Sequence, residues 1–536
     1  MPALDDNSGT YSFGYDNMNR LTSAGTNYSF LTIGNKTVSY GYDAASNRTS
    51  MTDPQSLSTA YGYDTLNRLT SLAFNGQNPG FTFGYDGLRR RTSLTRPNGV
   101  NTTYGYDSVS RLLSILHKLG STTLDGASYT YDNAGNRTSK TDLQANVTSN
   151  YGYDNIYQLL QVTQGASTTE SYSYDAVGNR LSSSGVSPYS YNSSNELTST
   201  PSTTYTYDYN GNTQSKSDGT AYTWDYDNRL KQVTLPGSGG TVNFKYDPFG
   251  RRAQKSFTQG STTTTTNYFY DGRSLLEELD QNGNVLARYT QNRQIDEPLA
   301  ELRSGTTSYY DADGLQSITS LSNSGGSLTN TYAYDTFGNI TSSTGTVLNP
   351  FRFTGREFDL ETGTYYYRAR FYDQNVGRFL SEDPLSYPDG TGFYVYVNNN
   401  PPNLFDPLGL CPWEIHRRRL RGVPGPIGDP LELDHYYFWN TETGETVGLG
   451  PAKGMGLFGP VPGQWETNEL PSSLDFFMEV PDWLCNCVSN KIRNRGKPPN
   501  YCVLHGKTDL NGTCTNCFGW TSNVLQKCYN EEYPQR

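Results

Sequence analysis

Aromatic and polar residues alternate along much of this chain. In Thr204-Tyr205-Thr206-Tyr207 an aromatic side chain returns at every second position, which is the period of a β-strand with one apolar face. Such segments lead into Asp-x-x-Gly-Asn or Asp-x-x-Asn, where the Asp side chain accepts local backbone N–H groups and Gly or Asn adopts a positive φ. The pattern therefore predicts consecutive β-hairpins.

The hairpin pattern is an internal repeat that runs from residue 1 to about residue 345. Each copy reads aromatic-x-aromatic-Asp, then Asn-Arg, then Leu or Thr. One hairpin alone is marginally stable, so we expect the copies to stack, with tyrosines packed on neighbouring copies and arginines available to pair with aspartates. The stretches 262–266 and 237–240 are predicted as loops between hairpins. The aspartates of the regular copies recur every 21 to 25 residues and those of the later copies less evenly: Asp43, Asp64, Asp86, Asp107, Asp132, Asp154 and Asp175, then Asp208, Asp225, Asp247, Asp271, Asp311 and Asp335.

Composition supports a mainly β protein. Only 34% of the 536 residues are hydrophobic, yet 44 are tyrosine, and aromatic residues favour sheets over helices. The net charge is −11, with most of the excess in the first 410 residues, which argues against nucleic-acid binding by the repeat region. No apolar run reaches the ~18 residues of a membrane span. The N-terminus does not resemble a signal peptide, so we expect this chain to be the C-terminal part of a longer protein or the product of a truncated gene.

The composition changes sharply after the repeats. The first 345 residues contain no cysteine, whereas all seven cysteines and three of the four histidines lie after residue 410. We therefore predict three parts: a β repeat region at 1–345, a border segment at 346–410, and a small, separate α+β domain at 411–536.

The border segment resembles the core motif of the RHS/YD-repeat family, which includes bacterial RHS polymorphic toxins, insecticidal toxin-complex C components and the teneurins. The residues that match are 365–373 (YYYRARFYD), 377–380 (GRFL), 383–384 (DP) and 406–410 (DPLGL). The resemblance implies that the hairpins spiral into a hollow shell around whatever follows the motif. It also implies an RHS-associated self-cleavage device in which Arg370, Asp383 and Asp406 cut the chain after Leu410.

Paired carboxylates suit that chemistry. Peptide hydrolysis needs one ionised carboxylate to activate water and one protonated carboxyl group to assist the leaving amine, and this state arises when two carboxyl groups share a site. Asp383 and Asp406 are the candidate pair, and Arg370 is expected to hold the ionised member. The alternative is that each Asp-Pro step only begins a turn.

In the C-terminal part, His435 and Cys517 are the candidate catalytic residues. His435 lies in a strand-like aromatic run, and Asn516 is a possible N-cap that places Cys517 in the first turn of a helix, where the dipole and a nearby imidazole lower the thiol pKa. The two segments resemble the circularly permuted papain-like fold of the lecithin-retinol acyltransferase type. The resemblance implies a peptidase, amidase or acyltransferase, with Asn440 or Glu442 orienting the imidazole.

The C-terminal cysteines allow two further interpretations. They form a disulfide framework that leaves Cys411 unpaired, or some of them bind zinc, with His505 as a possible ligand. The disulfide and nucleophile hypotheses are compatible, because other pairs still leave Cys517 free. The cysteines of the framework are Cys485, Cys487, Cys502, Cys514, Cys517 and Cys528, and those of the zinc alternative are Cys485, Cys487, Cys502 and Cys514.

The function predicted from the sequence is that of an RHS-type polymorphic toxin, or the C-terminal portion of one, used in bacterial competition. Its expected partners are its own C-terminal domain as encapsulated cargo, an immunity protein, and secretion or delivery machinery. We expect it to be secreted or located at the cell surface and delivered to target cells. No cofactor is expected. The alternative is a cell-surface adhesion protein whose aromatic faces bind carbohydrate and whose C-terminal module is stabilised by disulfides or zinc.

Overall fold

The structure is a computed structural model that describes residues 3–384 and 393–410 in full, together with the backbone of six further strands between Trp413 and Tyr501. It consists of two compact units. The first contains residues 1–381 and 394–408, and the second contains residues 382–393 and 409–536.

The first 17 strands form one antiparallel sheet. Each strand pairs with the next strand along the chain, as the hairpin pattern predicts. The strands are β1 (Ala3–Asp6), β2 (Gly9–Tyr15), β3 (Leu21–Tyr28), β4 (Lys36–Tyr42), β5 (Arg48–Thr52), β6 (Ser58–Tyr63), β7 (Leu69–Phe74), β8 (Phe81–Tyr85), β9 (Arg91–Thr95), β10 (Val100–Tyr106), β11 (Leu112–Leu119), β12 (Thr122–Tyr131), β13 (Arg137–Asp142), β14 (Val147–Tyr153), β15 (Leu159–Gln164), β16 (Ser167–Tyr174) and β17 (Arg180–Ser183).

A two-stranded sheet and a second large antiparallel sheet of 14 strands follow. The two-stranded sheet contains β18 (Ser190–Tyr191) and β19 (Leu197–Ser199). The large sheet contains β20 (Tyr205–Tyr207), β21 (Thr213–Lys216), β22 (Ala221–Trp224), β23 (Leu230–Thr234), β24 (Thr241–Tyr246), β25 (Arg252–Gln259), β26 (Thr262–Asp271), β27 (Ser274–Leu279), β28 (Val285–Gln291), β29 (Pro298–Arg303), β30 (Thr306–Ala312), β31 (Ile318–Ser322), β32 (Leu328–Tyr334) and β33 (Ile340–Thr344).

A four-stranded antiparallel sheet and two single 3-10 turns complete the described elements of the first unit, and a six-stranded sheet lies in the second. The 3-10 turns are Phe353–Gly355 and Val397–Asn399. The four strands are β34 (Glu357–Asp359), β35 (Thr364–Tyr367), β36 (Arg370–Asp373) and β37 (Arg378–Phe379). The six strands pair in the order β42-β38-β39-β40-β41-β43, and they are β38 (Trp413–Arg419), β39 (Asp434–Asn440), β40 (Thr446–Pro451), β41 (Val461–Thr467), β42 (Phe476–Glu479) and β43 (Asn500–Tyr501).

The repeat aspartates close the hairpins as predicted. Asp16 Oδ1 accepts the backbone N–H groups of Met18 at 2.9 Å and Arg20 at 3.0 Å, and Asn19 adopts a φ of 58°. Arg20 Nε then donates to Asp16 Oδ2 at 2.6 Å. One Asp therefore satisfies the turn backbone and fixes the Arg side chain at its tip.

Tyrosine and arginine side chains join each copy to its neighbour. Tyr85 Oη donates to the backbone oxygen of Leu69 at 2.8 Å, which lies in the preceding copy. The guanidinium of Arg68 lies 4.9 Å from the centre of the Tyr85 ring and donates to the Asp86 carbonyl oxygen at 2.9 Å. The predicted stacking of copies through these side chains is confirmed.

The two large sheets share apolar cores with each other and with the four-stranded sheet. Phe81 of the first sheet lies against Tyr309 of the second, with ring centres 5.9 Å apart. Tyr365 and Tyr372 of the four-stranded sheet are fully buried in one cluster with Leu159 of the first sheet. The four-stranded sheet is therefore surrounded by repeats, which places the core motif in a rigid, desolvated environment.

One of the two loop predictions is wrong. Residues 262–266 begin the strand Thr262–Asp271 and pair with β25 through the register Gln259↔Thr262. A run of threonines suits a strand because the β-branched side chain fits the pleated surface. Residues 237–240 lie between β23 and β24, outside both strands, so the other loop prediction is confirmed.

Candidate functional site

The core motif folds as a tight hairpin between β35 and β36. Tyr367 pairs with Arg370, so the connection contains only Arg368 and Ala369. Arg368 adopts a φ of 58°, a left-handed conformation that is uncommon for a residue with a long side chain. Such a conformation persists only where the surroundings fix it, and it is often found at functional sites.

Arg370 lies beside Asp406. Its Nη2 atom is 3.6 Å from Asp406 Oδ2, and both side chains are almost fully buried. The guanidinium also lies 3.6 Å from the centre of the Phe379 ring, so an aromatic face covers one side of it. The electrostatic interaction between two charges is stronger in such a desolvated environment than in water.

Asp383 is also buried, with 4% of its surface exposed. Its backbone N–H donates to the carbonyl oxygen of Phe393 at 2.8 Å, across residues 385–392. Asp383 and Phe393 belong to the second unit, whereas Arg370 and Asp406 belong to the first. The structure thus brings Arg370 and Asp406 together, and the meeting of Asp383 with that pair stays a prediction.

The backbone after Asp406 is held by hydrogen bonds on both sides. Asp406 Oδ1 accepts the N–H of Leu408 at 3.1 Å, which is the turn role expected of an Asp-Pro step. The Leu408 carbonyl oxygen accepts the N–H of Ala369 at 3.1 Å, and the Pro407 carbonyl oxygen accepts a hydrogen bond from Arg368 Nη1. Residues 406–408 are therefore fixed against the β35–β36 hairpin, two residues before Leu410.

Arg368 also contacts an aspartate from the repeat region. Its Nη2 and Nη1 atoms donate to Oδ1 and Oδ2 of Asp296 at 2.6 and 3.2 Å, and Arg356 Nη1 donates to the same Oδ1. Neither Arg368 nor Asp296 is among the site residues predicted from the sequence. The sequence does show that Asp296 differs from the repeat aspartates, because Glu297-Pro298 follows it and the Asn-Arg of the repeat is missing. No pattern in the sequence indicates that Arg368 is the partner of Asp296.

The C-terminal candidates are only partly described. His435 lies on the strand Asp434–Asn440, as the aromatic run predicted, and its backbone pairs with Arg418 of β38. Cys517, and with it the nucleophile hypothesis, lies outside the described residues. The same holds for Cys411 and for the cysteines of the disulfide and zinc alternatives, namely Cys485, Cys487, Cys502, Cys514 and Cys528.

Among the side chains of 3–384 and 393–410, no group of three or more His, Cys, Asp or Glu is arranged to hold a metal ion. Over the described part of the chain, no helix has the length and apolar character needed to span a membrane.

Comparison with known families identifies the class of protein. Residues 77–402 match the family described as the teneurin YD-shell, and residues 42–77 match the RHS repeat. The chain therefore belongs to the RHS/YD-shell family, and the family predicted from the core motif is confirmed.

Individual relatives match about half of this chain. The tRNA nuclease WapA of Bacillus subtilis (strain 168) is 34% identical over 281 residues, which are 49% of this chain and 12% of that protein. Double-stranded DNA deaminase toxin A of Burkholderia cenocepacia (strain H111) is 26% identical over 338 residues, which are 56% of this chain and 24% of that protein. The chain thus spans a quarter or less of these two relatives.

A solved structure of TcdB2-TccC3 shares the fold. It covers 76% of this chain and 24% of its own, with a TM-score of 0.63 at 20% sequence identity. The mainly β, YD-shell fold predicted for the repeats is confirmed.

Proposed function

We propose that this chain is a part of an RHS-type polymorphic toxin that cuts itself after Leu410 and so releases its C-terminal domain from the repeat region. The observation that supports this most directly is the buried contact of Arg370 with Asp406, 3.6 Å apart. The backbone that follows Asp406 is fixed by two hydrogen bonds at 3.1 Å. Family membership and the names of the nuclease and toxin relatives support the same proposal.

The proposed reaction is hydrolysis of the Leu410–Cys411 peptide bond. Asp406, kept ionised by Arg370, accepts a proton from a water molecule, and the resulting hydroxide adds to the carbonyl carbon of Leu410. Asp383, protonated at the start, donates its proton to the nitrogen of Cys411 as the C–N bond breaks. The products are the Leu410 carboxyl group and the Cys411 amine, and the proton on Asp406 returns Asp383 to its starting state.

The test is a comparison of full-length chains on denaturing gels, with N-terminal sequencing of any small fragment. The wild type should yield a fragment that begins at Cys411, and Asp383→Asn and Asp406→Asn should each slow its formation by at least about 100-fold. Asp64→Asn, which alters a repeat turn, is the matched control and should be cut like the wild type. An intact wild-type chain would defeat the self-cleavage part of the proposal.

The released domain is proposed to be a cysteine hydrolase or transferase with Cys517 as nucleophile and His435 as base. The position of His435 on a strand is compatible with this role. When the full chain is produced inside bacteria, Cys517→Ala and His435→Ala should each abolish toxicity. Toxicity that survives Cys517→Ala but is lost with a chelator would instead favour the zinc alternative. An immunity protein and a delivery machine belong to the proposal as partners, with target cells as the destination.

A second candidate function, carbohydrate adhesion, has one structural observation in its favour. Tyr209 and Tyr226 are fully exposed, and they follow Asp208 and Asp225 in consecutive repeat turns. Asn212 Nδ2 donates to Asn228 Oδ1 at 2.9 Å and joins the two turns. Exposed aromatic rings on a rigid surface are suited to sugar rings. A glycan array probed with the wild type and a Tyr209→Ala/Tyr226→Ala variant would test this function.

A further inference from the structure

We propose that Arg368 and Asp296 together position the segment that is cut, so that self-cleavage requires a residue of the repeat region. The inference rests on the proposed function and extends it beyond Arg370, Asp383 and Asp406. Arg368 is a positioning residue here, because its guanidinium contacts the backbone that leads to the cut and not the bond that is broken.

The contacts form a short chain from the repeats to the cut segment. Asp296 lies in the loop between β28 and β29, and its side chain is 2% exposed. Its carboxylate holds both terminal nitrogens of Arg368, at 2.6 and 3.2 Å. Arg368 Nη1 in turn donates to the carbonyl oxygen of Pro407, three residues before Leu410.

The guanidinium of Arg368, and not its backbone conformation, suits this residue to these contacts. An arginine at a φ of 58° is in the left-handed region, which Gly or Asn occupies at lower cost. A turn that needed only that conformation has no need of a guanidinium. The planar fork of arginine is suited to holding a carboxylate with two nitrogens while one of them also reaches a carbonyl oxygen.

The Asp296 side of the contact is equally fixed. Asp296 adopts a φ of 59°, and Arg356 Nη1 donates to the same Oδ1 atom that accepts Arg368 Nη2. Its backbone carbonyl lies so close to Gly355 that a Cβ atom there would be 2.3 Å from the oxygen. Asp296 therefore has little freedom to move, and the position of Arg368 depends on the repeat fold around it.

The expected consequence is that cleavage is coupled to folding of the repeats. A small displacement of a reacting group from its productive geometry costs up to about 100-fold in rate. Before the loop of Asp296 is folded, Arg368 lacks its carboxylate partner and the segment from Asp406 to Leu410 is not held. The release step would then follow assembly of the repeat region.

The test measures the rate at which the C-terminal fragment appears after a pulse of labelled full-length chain in cell-free synthesis. Arg368→Asn tolerates the positive φ but lacks the guanidinium, and Asp296→Asn keeps the shape of the side chain but lacks its charge. Each variant should be cut about 10- to 100-fold more slowly. The double variant should be no slower than the slower single variant, because the two residues act as a unit.

A matched control variant and further measurements separate positioning from general damage. Arg89, in a repeat turn, is exposed and has a φ of 66°, so Arg89→Asn makes the same change at the same backbone conformation and should be cut like the wild type. In Arg368→Asn, the rate should fall by the same factor at every pH, because the groups that exchange protons are untouched. Circular dichroism establishes whether each variant is folded. If Arg368→Asn does not fold, Arg368→Lys takes its place, because lysine keeps the charge but has one ammonium group in place of the planar fork. Arg368→Lys should be cut at least about 5-fold more slowly than the wild type.

The outcomes distinguish this inference from the proposed function. If the wild type is cut and Arg368→Asn is cut at the wild-type rate, positioning by Arg368 is overturned and self-cleavage stands. If Arg368→Asn changes the shape of the pH profile, the residue acts in proton transfer and the inference is also overturned. If the wild type is never cut, the inference and the self-cleavage proposal fail together.

Discussion

The repeat turns and the core motif differ in how they pair Arg with acidic residues. At many repeat turns, Asp and Arg pair four residues apart and both side chains are partly exposed, as in Asp64 and Arg68 with about a fifth of each side chain exposed. In the core, pairs join distant segments: Arg252 binds Glu357 and Asp359 at 2.7 and 2.5 Å with at most 6% of each side chain exposed. Exposed pairs contribute little, whereas a buried charge that loses its partner is costly.

The repeat turns that contact the core motif differ in sequence from many of the exposed repeat turns. Several turns that the core motif contacts have Asn in place of the paired Arg, and Asn179 Oδ1 accepts a hydrogen bond from Arg378 Nη1 at 3.1 Å. Asn339 Nδ2 donates to the carbonyl oxygen of Gln374 at 3.0 Å. Asn284 is an exposed exception. A short amide can be buried against the core at a position where a guanidinium would not fit.

The largest effect is expected from breaking a buried pair. Arg252→Met should lower the free energy of unfolding by about 3 to 5 kcal/mol, because Glu357 and Asp359 remain buried without that cation. Arg68→Met removes the equivalent charge from an exposed repeat turn and should have a much smaller effect. Urea unfolding of both variants measures the difference, and equal losses would contradict the contrast between the two regions.

A pH-dependent effect of about 3 kcal/mol is expected from Glu301. Burial, only partly offset by Arg303, raises its pKa from 4.5 to about 7, and the Glu278 carboxylate adds to the rise. A raised carboxyl pKa stabilises the fold below pH ~4.5, and this contribution is lost as the pH rises through ~7. About 2.5 pKa units correspond to about 3 kcal/mol.

The variant Glu301→Gln isolates this contribution because glutamine does not titrate. The stability difference between wild type and variant should shift by about 3 kcal/mol against the wild type between pH 4.5 and pH 8. Thermal unfolding across that range provides the measurement. A difference that stays constant with pH would show that the pKa of Glu301 is the same in the folded and the unfolded protein.

The smallest effect is expected from single tyrosine hydroxyls. Tyr372 Oη donates to the Phe337 carbonyl oxygen at 2.8 Å and is fully buried, whereas Tyr85 makes the same kind of bond from a half-buried position. Tyr372→Phe should cost about 1.5 kcal/mol and Tyr85→Phe about 0.5 kcal/mol. Chemical denaturation of the two variants compares them, and a larger loss for Tyr85→Phe would reverse the ranking.

Local features of the fold could be predicted from the sequence because their causes are local. Alternation of residues such as Tyr205 and Thr206 defines a strand, and the bonds of Asp16 to its own turn use atoms at most four residues away. Threonine-rich residues 262–266 form part of a strand and not the predicted loop. Composition alone does not distinguish an exposed strand from a linker. Periodicity also indicates that copies stack, but not which copies face the core.

The site could be predicted only in part for a related reason. Arg370 and Asp406 lie in one recognisable motif, so their proximity was expected and is observed. Asp296 comes to Arg368 from 72 positions away in the chain, and no pattern in either segment indicates the other. The partners of a buried charge are set by the tertiary fold, which one sequence does not reveal.

The bond from Tyr85 to the backbone of the preceding copy has an evolutionary consequence. Each copy donates one tyrosine hydrogen bond to the copy before it and accepts one from the copy after it. If a whole copy is lost or duplicated, each remaining tyrosine therefore still finds a backbone acceptor of the same type. Loss of one strand of a hairpin would reverse the direction of every later strand and move the later repeat turns to the opposite edge of the sheet. The array can therefore grow or shrink in complete copies during evolution, provided that the copies touching the core motif are kept.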